Sequence, residues 1–230
     1  GKRELEWVRF SDFRKIEAYD ISESSIDIAR QKAREAGYAN IIDYKVGDIY
    51  SIELAENRYD AIFVEQSLHH FSPLEAILAR ISKWLSPSGL LVVNEYVGPS
   101  RFQWTDRQLE IANKIRSILP GKYRTHIVDG SVNKKIVRPS RLSMIMRDPS
   151  EAVESSKIMP LLNRMFEIVE VRPYYGAILH LLFEGIAPNF LSQDEEGQKY
   201  LWLCFEIEDI VTEMGQVQSD FALIVCKKKT

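Results

Sequence analysis

The chain has 230 residues, 45% of them hydrophobic and 27% charged, with a formal net charge of −3. That length can bury a sizeable core within one domain. The near-neutral balance excludes the basic stripe of a nucleic-acid-binding domain.

The first hundred residues alternate helices and strands. Lys2 to Phe10 predicts a helix remnant, with Leu5, Val8 and Phe10 on its apolar side, and Lys15 to Tyr19 a short strand closed by Asp20. Ser22 offers an N-cap for a helix over Ser25 to Ala36, where Ile26, Ala29, Ala33 and Ala36 fall at helical spacing until Gly37 stops it. Ile41 to Val46 reads as a strand ending in Gly47-Asp48, and Tyr59 to Val64 as a strand buried on both faces. Ser72 caps a helix with Pro73 in its first position, and Leu74, Ile77, Leu78, Ile81 and Leu85 form its stripe. A turn at Pro87-Ser88-Gly89 leads into a buried strand over Leu90 to Asn94. Short alternation of this kind predicts a parallel sheet covered by helices.

The later part differs. Thr105 to Leu119 predicts an amphipathic helix, Gly121 to Arg147 shows little periodicity, and Asp148-Pro149-Ser150 starts a helix running towards Met165. Phe166 to Arg172 alternates like a strand, Ile178 to Ile186 and Gln193 to Met214 look helical, and Phe221 to Cys226 closes the chain as a strand. The run Lys227-Lys228-Lys229 reads as a solvated tail. Cys204 and Cys226 lie in apolar runs and read as buried reduced thiols, and no residue spacing predicts a metal ligand set. There is neither a signal peptide nor an apolar run of about 18 residues, so a cytoplasmic protein without a membrane partner is expected.

In an open α/β sheet, ligands sit beyond the carboxyl ends of the strands, and three such ends carry polar groups. Asp20 can accept hydrogen bonds from ribose hydroxyls, with Ile21 offering an apolar face to a base; it can equally cap the next helix. Asp48, followed by Ile49, can take an adenine amino group or belong to an ordinary turn. Glu65-Gln66-Ser67-Leu68-His69-His70-Phe71 places many polar groups straight after a buried strand, which suits the charged end of a ligand. His69 and His70 titrate near neutral pH and can take a proton, or simply tie down the loop.

Taken in order, Tyr19-Asp20-Ile21-Ser22, Gly47-Asp48-Ile49, Tyr59-Asp60 to His69-His70-Phe71 and Leu85 to Leu91 resemble the class I S-adenosylmethionine-dependent methyltransferase family. The similarity is strong over residues 1 to 100. The remainder resembles a bacterial small-molecule subgroup, through Gly98-Pro99-Ser100-Arg101-Phe102-Gln103-Trp104, Asp148-Pro149-Ser150-Glu151-Ala152-Val153 and Arg172-Pro173-Tyr174. The resemblance implies a doubly wound, mostly parallel Rossmann-like sheet with an antiparallel last strand and a helical insertion or lid. It implies one domain over residues 1–230: a cofactor-binding core at 1–98, a substrate and lid region at 99–190, and a terminal helix and strand at 191–230.

It further implies S-adenosylmethionine as cofactor. Asp20 would hold the ribose, Ile21 and Ile49 would sandwich the adenine, Asp48 would take its amino group, and Glu65 and Gln66 would lie beside the methionine part. The family's first strand and glycine-rich loop do not precede the strand at residues 15–19. Gly1 stands where the last glycine of that loop would be, so the chain is expected to continue upstream.

Methyl transfer needs a base only if the acceptor must lose a proton; His70 is the first candidate, His69 lies beside it, and Glu95, after the fifth strand of the family, is next. Arg101 and Trp104 are expected to line the pocket of a partly anionic small-molecule acceptor, or else a homodimer interface. Two other classes stay open: a methyltransferase-fold scaffold without catalysis, and a nicotinamide-dependent oxidoreductase. The latter is disfavoured by the lack of a Tyr-x-x-x-Lys pair.

Overall fold

The structure is a computed structural model that describes residues 2–132, 135–191 and 194–229; Gly1 and Gln193, both named above, lie outside the described residues. The chain packs as two compact units, Gly1–Ala55 and Glu56–Thr230.

The first unit holds α1 (Lys2–Trp7), β1 (Ile16–Asp20), α2 (Glu23–Glu35) and β2 (Ile42–Val46). β1 and β2 pair in parallel, from Ile16 opposite Ile42 to Asp20 opposite Val46. Parallel neighbours need a crossover, and α2 supplies it. Ser22 Oγ accepts the Ser25 N–H and caps α2 as expected. Gly37, at φ +78°, ends it: the Gly37 N–H reaches the Arg34 carbonyl and the Tyr38 N–H the Ala33 carbonyl, a Schellman pattern. Ile26, Ala29 and Ala33 pack on Ile42 and Tyr44, with Leu5 and Val8 at the margin. Phe10 does not join them; the helix has ended by then and the ring is 88% exposed.

The second unit is built on a four-stranded sheet in the order β3 (Tyr59–Glu65), β4 (Leu85–Tyr96), β6 (Phe221–Lys228), β5 (Phe166–Pro173). β3 and β4 are parallel, and β6 runs antiparallel to both β4 and β5, so the last strand is the reversed one in an otherwise parallel sheet. The pairing of described residues thus falls into two sheets, of two and four strands.

Of β3, only Val64 is buried, and Phe63 is 37% exposed, because β3 ends the four-strand order rather than lying inside it. β4 begins earlier than expected. Tyr59 pairs with Leu85 and Ala61 with Leu90, so residues 86–89 bulge opposite Asp60 and absorb the predicted turn. Gly89 sits where a Cβ would stand 2.9 Å from the Tyr59 carbonyl oxygen, which only glycine tolerates.

α3 (Leu74–Trp84) buries Leu74, Ile77, Leu78 and Ile81 as its stripe predicts. Its start differs from expectation: Pro73 is the N-cap, Ser72 makes no cap, and the Leu74 N–H donates to Glu154 Oε2 at 2.8 Å. The segment from Asp148 also differs. It forms turns, and the helix α6 (Ile158–Met165) begins only after a single 3-10 turn at Ser155–Lys157. Asp148 closes α5 (Arg141–Arg147) and accepts the Ser150 N–H and hydroxyl in a local turn, and so the helix predicted to start at residues 148–150 begins later.

α4 (Asp106–Ile118) opens with a reciprocal cap between Thr105 and Gln108. Its Ile111, Ala112 and Ile115 share a core with Ile178, Leu181 and Leu182 around α7 (Leu179–Phe183) and with Cys204 of α8 (Glu195–Glu213). The short helix α5 interrupts the stretch that showed no periodicity. Both cysteines are buried and free, and burial pushes their thiols up to about 11 for Cys204 and about 12 for Cys226. The terminal lysines are not a loose tail: Lys228 Nζ donates to Asn57 Oδ1 at 2.9 Å, and Lys229 Nζ donates to the carbonyls of Asn163 and Arg164 that end α6. No helix among the described residues is long and apolar enough to cross a membrane.

Candidate active site

In the first unit, the carboxyl ends of β1 and β2 lie side by side, and the Gly47 N–H donates to the Asp20 carbonyl at 3.0 Å. Each strand end carries its acid in a tight local turn: Asp20 Oδ1 accepts the Ser22 N–H at 2.8 Å and Asp48 Oδ1 accepts the Tyr50 N–H at 2.9 Å. In both, the second carboxylate oxygen has no hydrogen bond to a described residue. Ile21 is 75% exposed beside Asp20, and Ile49 is half-buried beside Asp48.

In the second unit the ends of β3 and β4 carry the denser cluster. Asn94 Nδ2 donates to Glu65 Oε2 at 3.0 Å, and Tyr174 Oη donates to Asn94 Oδ1 at 2.5 Å. Gln66 donates through Nε2 to Tyr174 Oη at 3.3 Å. Gln66 also takes φ +46°, a left-handed conformation that costs a non-glycine residue roughly 1 kcal/mol or more.

That turn folds the next three residues back over β4. Glu95 Oε2 accepts the backbone N–H groups of Ser67 at 2.9 Å, Leu68 at 2.6 Å and His69 at 3.4 Å. Glu95 Oε1 bonds to His69 Nδ1 and accepts the Tyr96 N–H at 2.7 Å. Glu95 is fully buried, and so cannot itself meet an acceptor; it positions the histidine loop. Its place is therefore not the exposed one expected of a base at the sheet edge.

Since Glu95 is acceptor-only when ionised, His69 donates from Nδ1, and in the neutral ring Nε2 keeps a lone pair. Nε2 lies 3.6 Å from Glu151 Oε1. Burial opposes the charged ring, but the Glu95 bond and the charges of Glu95, Glu151 and Asp148 prevail and hold His69 above the ordinary imidazole range. His70 packs on it at 4.1 Å between ring centroids. Ser150 spends its proton on Asp148 Oδ1 at 2.7 Å, so its oxygen accepts from His70 Nδ1 at 3.2 Å and leaves His70 Nε2 a lone pair as well.

Arg101 and Trp104, expected to line an acceptor pocket, are both engaged within the chain. Arg101 donates through its guanidinium to the carbonyls of Asp148, Pro149 and Glu151, and through its backbone to that of Ala152. Its donors face the chain rather than an anion, and they fix the segment that carries Ser150 and Glu151. Trp104 is 3% exposed and stacks on Phe102 at 5.5 Å. With Tyr96, His180 and Phe221 these rings form one aromatic cluster. Burial holds His180 below the ordinary imidazole range, and its Nδ1 and Trp104 Nε1 are buried without a hydrogen-bond partner among the described residues. Behind the cluster, burial raises Asp220 to about 7 although Gln108 donates to it at 2.9 Å.

Asp148, Ser150, Glu151 and Tyr174 were not singled out from the sequence as site residues. Glu151 lies far along the chain from His69, and the only signal was that the Asp148–Val153 and Arg172–Tyr174 motifs resembled the subgroup.

A methyltransferase-domain family model matches residues 3–93. A demethylmenaquinone methyltransferase of Bacteroides fragilis is 34% identical over 83 residues, which is 36% of this chain and 34% of that protein. The match therefore spans about a third of that curated relative. An uncharacterized protein of Escherichia coli, YafE, is 27% identical over 173 residues, covering 70% of this chain and 81% of that one. Among solved structures, a geranyl diphosphate C-methyltransferase from Streptomyces coelicolor superposes with TM-score 0.56 at 12% identity, over 100% of this chain and 68% of that one. An S-adenosylmethionine-dependent methyltransferase from Mesorhizobium loti does so with TM-score 0.53 at 15% identity, over 98% and 85%. At such identities these two are likenesses of fold.

Proposed function

We propose that the protein is a class I S-adenosylmethionine-dependent methyltransferase, as the methyltransferase-domain model matched over residues 3–93 supports, and that it methylates a small molecule at an oxygen or nitrogen atom. One observation supports this reading most: Asp20 and Asp48 close two neighbouring parallel strands, each with one carboxylate oxygen unspent and an isoleucine beside it. That pairing fits a nucleoside. Asp20 accepts from its ribose hydroxyls, Asp48 accepts from its adenine amino group, and Ile21 and Ile49 cover the ring. In the second unit, Glu65 and Gln66 are proposed to contact an amino-acid moiety such as methionine, and residues 1–230 are proposed as one methyltransferase domain.

S-adenosylmethionine, when bound, supplies a methyl group on a sulfonium, so the leaving group is neutral. What the protein must add is placement of the acceptor and removal of its proton. His70 takes that proton, with His69 beside it, and Glu95, Ser150 and Asp148 hold the rings in the tautomers that leave Nε2 basic. Arg101 acts at one remove, through the segment 148–152. A homodimer, if formed, would not use Trp104, which is enclosed within its own chain; Trp202 and Met214 on and just after α8, 63% and 66% exposed, suit that use better.

The test is calorimetry of the natural full-length protein with S-adenosylmethionine and S-adenosylhomocysteine. One equivalent of each is expected to bind. Neither heat nor a thermal shift at millimolar ligand would overturn the reading.

A further inference from the structure

Beyond the methyl-transfer reading, the geometry points to a divalent transition-metal site formed by His69, His70 and Glu151. One ring nitrogen from each histidine and one carboxylate oxygen of Glu151 lie within 4.8 Å of one another. His69 Nε2 and Glu151 Oε1 are 3.6 Å apart. Two ligands held about 2.1 Å from one tetrahedral or octahedral ion stand roughly 3.0–3.4 Å apart, so that pair needs a closure of a few tenths of an ångström and the three atoms together at most about 1.8 Å.

The outer contacts are those that metal-binding histidines use. A ligating imidazole donates its other N–H to a carboxylate or similar acceptor, which fixes the ring and makes the bonding nitrogen more basic. His69 has the buried Glu95 in that role, and His70 has Ser150, itself anchored on Asp148. Glu151 is brought to the rings by the Arg101 contacts to residues 148–152 and by the Val153 N–H, which donates to the His69 carbonyl at 3.1 Å. His69 is 8% exposed and Glu151 is half-buried, so one side of the cluster is closed by protein and another stays open.

Two imidazoles and one carboxylate prefer a first-row transition cation over magnesium, and they leave coordination positions free. The ion keeps a net positive charge there and can take the oxygen or nitrogen of an acceptor and lower its pKa; since the imidazole lone pairs then bind the ion, this replaces proton removal by His70 and does not accompany it. That last role rests on the methyl-transfer reading; occupation of the site by the cation does not.

The natural full-length protein, stripped with chelator and dialysed, would be titrated with Zn2+ and with Mn2+, and Mg2+ would serve as the contrast. One equivalent of Zn2+ or Mn2+ with micromolar or tighter affinity is expected, and Mg2+ at least a hundredfold weaker. Glu151→Gln and His70→Asn should each weaken the transition cation by at least tenfold, while His126→Asn in a separate loop should not. Circular dichroism and the melting temperature check that each variant folds, and either variant alone suffices for the reading. Binding no tighter than millimolar would overturn the site, as would micromolar binding that both variants leave unchanged. S-adenosylhomocysteine affinity, measured on the same samples, reports on the methyl-transfer reading separately.

Discussion

Glu95 meets His69 at Nδ1 from the interior of the protein, through an oxygen that also takes the Tyr96 N–H, while its other oxygen holds the backbone of the same histidine loop. One carboxylate thus sets both the path of the loop and the tautomer of its ring. Glu95→Ala would strand several buried donors at once, each worth about 1–3 kcal/mol when left unpaired. A loss of at least about 3 kcal/mol is expected, a fall in Tm of roughly 10 °C for a chain of this size. Glu95→Gln keeps an acceptor for the backbone but turns a donor towards His69, so its loss should be smaller. Thermal melts of the three proteins should rank wild type, Gln, Ala; an Ala variant as stable as wild type would remove Glu95 from this role.

Asp220 gives a pH signature. Its folded value, about 7, lies above the usual 3.8 because burial disfavours the charged form. The unfolded chain therefore releases this proton first as pH rises, and the folded state binds more protons between about pH 4 and 7. Across that window stability declines with rising pH, by at most roughly 4 kcal/mol from this group, and is level again above the folded value. Asp220→Asn abolishes that part of the slope and should be the more stable protein at pH 8. Denaturant midpoints of both proteins from pH 4 to 8 check this; a difference that does not vary with pH would contradict it.

Gly176→Ala should be costly. The residue has φ +83°, and an added Cβ would stand 2.3 Å from Phe221 Cδ2 within the aromatic cluster. The backbone strain of roughly 1 kcal/mol and an overpacking cost of about 1–3 kcal/mol add to an expected loss of about 2–4 kcal/mol. Gly130→Ala, at φ +68° with nothing within 4 Å, is the control and should cost only the strain. Chemical denaturation of the two variants separates the contributions.

Asp20→Ala distinguishes a ligand carboxylate from a turn residue. Ser22, not Asp20, caps α2, so the variant forfeits one exposed turn bond and should lose less than about 1 kcal/mol of stability. Two hydrogen bonds from ribose hydroxyls to a charged acceptor are worth more, and affinity for S-adenosylhomocysteine should fall at least tenfold. Calorimetry and a melt on the same variant read both quantities. An unchanged affinity with a lower Tm would assign Asp20 to the turn alone.

What could be read from the sequence follows the range of the interaction. The Ser22 cap, the Gly37 stop and the Leu74-to-Ile81 stripe lie within one element, and the structure has them as expected. The reversed last strand came with the family resemblance and is present. Long-range competition accounts for the misses. Glu154 reaches across the fold to cap α3, which left Ser72 without that task. Arg101 finds backbone carbonyls nearly 50 residues away instead of an anion, and no local pattern announces that choice. α5 buries only Met144 and so shows no apolar period.

β4 carries Glu95, and its two hydrogen-bonding edges come from opposite ends of the second unit: β3 precedes it by a few tens of residues, whereas β6 follows it by more than a hundred. β6 in turn supplies the edge on which β5 aligns, with Glu95 opposite Ala222 and Pro173 opposite the same residue. On a ribosome, β3, α3 and β4 can dock as soon as they emerge, but the sheet beneath the histidine loop closes only after residue 221 is made. Loop closure over so long a separation is slow. The nascent protein would thus carry one edge of β4 unpaired while residues 97–220 are made, and that is the interval in which a chaperone or a second strand could occupy it.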